Sequence, residues 1–113
     1  MRSPIKTAAG DGNADLMSRV FLARLPVRYE KIDAALALCR ADPAIGANWV
    51  ELHRLLQSLA AAAGNFGCDD LGAKAGLIEL LLEDMLAQDA RVQADVDEVA
   101  GLLTVMRSSA SGN

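Results

Sequence analysis

Trp49, Leu52, Leu56, Leu59, Ala63 and Phe66 recur at alternating steps of three and four. That spacing gathers all of them on one side of an α-helix. A β-strand would send successive side chains to opposite faces and could not bury the set together. A helix from about Ala47 to Phe66 is therefore the element to which the rest of the chain must adapt.

Similar stripes flank it. Ile32, Ala35, Leu36 and Cys39 mark a helix from Val27 to about Ala41, ended by Asp42-Pro43. Leu71, Ala75, Ile78, Leu82 and Met85 mark another, capped by Asp69 or Asp70 and running to about Ala87. Val92, Val96, Val99, Leu103 and Met106 line a last helix from about Ala90 to Met106. Ahead of these, Leu16, Val20 and Ala23 form the stripe of a short first helix, with Phe21 and Leu25 close to it. Pro26 suits the first turn of the helix that follows, where its missing N–H is no loss. Gly67 stands where a C-terminal helix glycine belongs.

No stretch alternates with period two, and there is no internal repeat. The expected fold is all-α: an antiparallel up-down four-helix bundle with a short additional N-terminal helix. Residues 1–13, with Pro4, Gly10 and Gly12, are expected to form a flexible arm. Residues 14–107 form the helical domain and residues 108–113, rich in Ser and Gly, a flexible tail.

A length of 113 residues allows one domain with a single modest core. The composition is 52% hydrophobic but only 4% aromatic, which favours close helix packing of small and medium side chains. The formal charge is -4, with no basic stripe evident, which argues against nucleic acid or an anionic membrane as partner. No segment approaches the roughly 18 apolar residues of a membrane span, and the start lacks a signal-peptide core. Cys39 and Cys68 are too few and too far apart for a disulfide framework or a zinc site, and read as thiols of a cytoplasmic protein.

The side of the 47–66 helix opposite its apolar stripe carries Val50, His53, Arg54, Gln57, Ala60, Ala61 and Gly64. Its last two turns offer nothing larger than a methyl group. Alanine is the best helix former, so the run has a bland explanation. The alternative is that small residues keep a docking surface open. Asp69-Asp70 and Glu83-Asp84 read as caps and solvated helix ends, Arg54 and Lys74 as the cations nearest the face. No metal-ligand cluster, phosphate loop or nucleophile with a partnering base stands out, and no cofactor is expected.

The stretch Gln57-Ser58-Leu59-Ala60-Ala61-Ala62-Ala63-Gly64-Asn65-Phe66-Gly67 resembles the core motif of histidine phosphotransfer (HPt) domains, His-Ser-Leu-Lys-Gly-Ser-Ala-Gly-x-Phe/Leu-Gly. The likeness extends to Phe21–Arg28 as the first helix junction, to Leu52-His53-Arg54-Leu55-Leu56 before the motif, and to Leu71, Ala75 and Ile78-Glu79 after it. The departures fall on the chemistry. Gln57 stands where the family has its phosphoacceptor histidine, Ala60 where it has a cation, and Ala61 where it has a glycine that admits the receiver. An amide nitrogen is not nucleophilic, whereas a neutral imidazole is.

The resemblance implies a phosphorelay module of bacterial-type two-component signalling that has lost its reactive atom. Its expected partners are a response-regulator receiver domain or a hybrid histidine kinase, met through Val50, His53, Arg54, Gln57, Ala60, Ala61 and Gly64. On this reading the chain is not an enzyme, carries no phosphate, and is compatible with a monomer. Two alternatives stand beside it. One is active phosphotransfer through His53, the single histidine, which four residues along a helix displace by about 6 Å from the family position. The other is a structural bundle that self-associates.

Overall fold

A computed structural model of the protein describes the backbone of residues 2–111 and the side chains of residues 15–108. Apart from Ser108, the expectations for an arm over 1–13 and a tail over 108–113 fall outside those side chains. The described residues form four helices and no strand: α1 (Arg2–Ala41), α2 (Gly46–Asn65), α3 (Asp69–Leu86) and α4 (Gln93–Ser111). α2 packs against both α1 and α3, while α4 packs against α3 and α1.

The core is apolar throughout, with no polar or charged residue buried among those described. α2 supplies Trp49, Leu52, Leu56, Leu59 and Ala63, all at 0% exposure. α3 supplies Leu71, Ala75, Ile78, Leu82 and Met85, and α4 supplies Val96, Val99, Leu103 and Met106. Each fully buried leucine is worth about 1.5–3 kcal/mol relative to leaving it in water. Phe66, expected on the stripe, is only half-buried, stacked at 5.8 Å on Phe21. Val92 precedes α4 and is exposed, its N–H held by the Asp95 carboxylate at 2.8 Å.

α1 departs from expectation. The short first helix and the helix after Pro26 are one element, with Pro26 inside it. The ring leaves the Leu22 carbonyl without its intrahelical donor, but Leu22 and Pro26 are both exposed, so water can satisfy it. What carries the helix through is packing. Phe21, Leu25, Ile32, Ala35 and Cys39 are the buried residues of α1. At about 100° per residue they stay within one band roughly 80° wide, in phase on either side of the proline. Leu16 and Val20, expected to be buried, are 51% and 41% exposed, and Ala23 is exposed too. Burying them would have required a change of phase at Pro26.

The connections are short and tied down. Asp42 Oδ1 accepts from the Ala44 N–H at 3.1 Å, and the Trp49 indole donates to the Pro43 carbonyl at 2.9 Å, fixing the loop onto the first turn of α2. α2 ends in a paired C-terminal cap. The Cys68 N–H donates to the Ala63 carbonyl at 2.8 Å and the Gly67 N–H to Gly64 at 3.4 Å, with Gly67 at φ 82. Glycine takes that left-handed conformation without a Cβ clash. Between α1 and α4, Arg40 meets Asp97 at 2.9 Å, and Arg107 binds Asp33 while lying 4.8 Å over the Tyr29 ring. Burial pushes the Tyr29 phenol up from its ordinary value, opposed by the Arg107 charge.

Pro26→Ala restores one helical hydrogen bond and removes a helix penalty of about 3 kcal/mol, less about 1 kcal/mol for the looser unfolded chain. Urea denaturation is expected to show a gain of about 1–2 kcal/mol. A loss would mean that the chain breaks at Pro26 in solution.

Candidate functional site

The apolar stripe of α2 sets what its other face can present. With Leu56 fully buried, its neighbour Gln57 is directed to solvent and is exposed. Val50, Arg54, Ala61 and Gly64 are exposed with it. His53 and Ala60 are half-buried, because they lie on the flank of α2 that meets α3. The seven expected residues thus share one helix but divide into an open ridge and a flank.

Two contacts define that flank. His53 Nε2 lies 3.2 Å from Glu83 Oε2 and 3.8 Å from Glu79 Oε2, and the side chains of His53 and Glu79 are each 19% exposed. Further along, α3 approaches at Gly72. A Cβ there would stand 3.3 Å from both the Ala60 carbonyl oxygen and the Gly64 nitrogen, and 3.5 Å from the Ala63 Cβ. Those backbone atoms are fixed within α2, so the two helices meet here with no room for a side chain.

Neither expected cation is free of partners. Arg54 grips Glu51 through two bonds of 2.9 and 2.6 Å, which hold the Glu51 carboxyl below its usual range. Lys74 meets Asp70 at 2.7 Å. Positive charge collects instead on the opposite flank. A cleft of about 520 Å3 between α1 and α2 is lined by Arg24, Arg28, Lys31, Arg54 and Ser58, with Arg28 reaching Ser58 Oγ at 3.4 Å. No basic stripe is evident along the sequence, although Arg24, Arg28 and Lys31 stand at helical spacing. A helix break at Pro26 would have scattered them, and the continuous α1 brings them together.

The sequence also gave no sign of the grouping of His53 with Glu79 and Glu83. Glu79 and Glu83 are four apart and share a face of α3, but only the packing of α2 on α3 adds the imidazole. Neither thiol is an activated nucleophile. Burial pushes Cys39 up to about 11, while burial and then the Asp69 charge raise Cys68. Among the described helices, none is long and apolar enough to cross a membrane.

Comparison with protein-family models, with curated proteins and with solved structures gives no match.

The close approach at Gly72 predicts opposite outcomes for two α3 glycines. Gly76→Ala, with nothing within 4 Å of the added Cβ, is expected to stabilise by about 0.5–1 kcal/mol through helix propensity. Gly72→Ala is expected to lower stability despite the same propensity gain, because backbone must move to admit the methyl. Paired thermal melts decide it, and equal gains would refute the close contact.

Proposed function

We propose that this chain is an HPt-like module that docks a response-regulator receiver domain, alone or within a hybrid histidine kinase, without carrying phosphate. The observation that carries the reading is the exposed amide of Gln57. It stands at the motif's phosphoacceptor position, on a ridge continued by Ala61 and Gly64. Nothing on that ridge beyond Gln57 obstructs a partner's backbone, and no group there can accept a phosphoryl.

Three further observations support it. The ion pairs between helices fit the antiparallel order that the family resemblance implies. Arg40 meets Asp97 while the earlier Asp33 meets the later Arg107, so α1 and α4 run in opposite directions. α2 and α3 oppose likewise, His53 facing Glu83 and Gly64 facing Gly72. The cleft beside the ridge, with Arg24, Arg28 and Lys31 on its α1 wall, complements an acidic surface such as a receiver's phosphorylation pocket. The His53 ring leans on Glu79 and Glu83, which gives a non-standard acceptor role little room.

A second reading, self-association, is favoured by one feature. Leu77, Leu80 and Val105 are 67%, 60% and 58% exposed along α3 and α4, away from the Gln57 ridge. Single exposed leucines are ordinary, but this group is of the kind that a second chain covers. Sedimentation across a hundredfold concentration range separates the readings, since a self-associating bundle gains mass and an adaptor does not.

The receiver reading predicts a gain of function. Gln57→His combined with Ala61→Gly is expected to acquire acid-labile phosphate from a phosphorylated receiver, while the natural chain stays unlabelled. NMR titration of the natural chain with the same receiver is expected to shift the amides of residues 54, 57, 61 and 64. Shifts confined to other faces, together with no labelling of the double variant, would sink the proposal.

A further inference from the structure

We propose that His53, Glu79 and Glu83 form a binding site for a first-row divalent cation of borderline softness, with Zn2+ as the probe that fits best. The three donor atoms, one imidazole nitrogen and two carboxylate oxygens, all lie within 4.8 Å of one another. Zinc takes such N/O ligands at about 2.0–2.2 Å, so in a tetrahedral site neighbouring donors stand roughly 3.3–3.6 Å apart. His53 Nε2 stands 3.2 and 3.8 Å from the two glutamate oxygens, on either side of that value. The two glutamate oxygens stand no more than 4.8 Å apart, a separation that rotation of an exposed carboxylate such as that of Glu83 can close.

The electrostatics point the same way. Glu79 and Glu83 are four residues apart on one helix, a like-charge arrangement that is destabilising by itself. Among the described residues neither forms an ion pair with a lysine or arginine, and the imidazole is the one group at hand that can offset their charge. His53 and Glu79 are each four-fifths covered while Glu83 is half-exposed, so water screens the repulsion only in part. A divalent cation would neutralise both carboxylates and take the lone pair of a neutral imidazole.

Geometry separates this group from a chance acidic patch, because its ligands come from two helices. Two glutamates one turn apart on α3 and a histidine on α2 converge across a helix-helix seam, the arrangement by which bundles build metal sites. Three protein ligands leave at least one position for water or an incoming group. Bound metal would clip α2 to α3 one turn before Gln57 and occupy the nitrogen that a His53 phosphoacceptor would need. The inference does not depend on receiver docking, and either can fail alone.

The test is titration of the tag-free chain with zinc chloride, followed by calorimetry and by NMR. One equivalent is expected to saturate, to raise the melting temperature, and to shift the signals of residues 53, 79 and 83. His53→Ala, Glu79→Gln and Glu83→Gln, each checked for helicity, are expected to weaken binding about tenfold or more. Cys68→Ser is expected to leave it unchanged. The site is refuted by no saturable binding up to about 1 mM zinc. It is equally refuted by binding that survives His53→Ala and Glu79→Gln, or that disappears with Cys68→Ser. Should a variant unfold, the zinc-dependent shifts of the natural chain decide alone.

Discussion

Burial of the α2 stripe is the constraint from which the other features follow. Trp49, Leu52, Leu56, Leu59 and Ala63 are wholly excluded from water, and α2 packs against both α1 and α3. A helix so committed cannot rotate by even one residue without moving a leucine into solvent and a polar group into an apolar core, each costing kilocalories. The direction in which Gln57 points is thus decided by residues on the far side of its own helix. The same commitment puts His53 against α3 and Arg54 at the rim of the α1 cleft.

The small residues of α2 serve two ends. Ala63 is buried where Gly72 brings α3 against the Ala60 carbonyl and the Gly64 nitrogen, its Cβ 3.5 Å from where a Gly72 Cβ would stand. Gly64 and Ala61 also leave the outer ridge smooth. The alanine run is therefore more than a helix-forming preference, since part of it is spent on packing before any partner is considered. Ala61 and Gly64 are both exposed, and a Cβ added at Gly64 meets nothing within 4 Å, so their small size has other causes.

Charge is distributed unevenly for a chain of net -4. Arg24, Arg28, Lys31 and Arg54 gather along the cleft on one flank of α2, while Glu79 and Glu83 gather on the other. The uncharged residues Gln57, Ala61 and Gly64 run between them. Such a polarised surface offers acidic and cationic ligands different places to settle, and it arises from helix packing more than from composition.

For α2, α3 and α4 the buried residues were legible because their stripes repeat at three and four over several turns, a pattern only a helix can bury. Val92 escaped because it precedes the first turn of α4, where an apolar residue in phase need not be covered. α1 was misread at one point. A proline is locally a helix breaker, and reading a break there hid the common phase of Phe21, Leu25 and Ile32, as well as that of Arg24, Arg28 and Lys31. Local propensity was outweighed by burial on both sides of the ring. The sequence by itself determined the helical class, the apolar side of three helices, the glycine turn at Gly67 and the exposure of Gln57, because these depend on periodicity and backbone conformation within one segment. The continuity of α1, the contact at Gly72, the basic cleft and the meeting of His53 with Glu79 and Glu83 were decided only in the tertiary structure, because each depends on which faces of separate helices, or of separate halves of one helix, come to lie together.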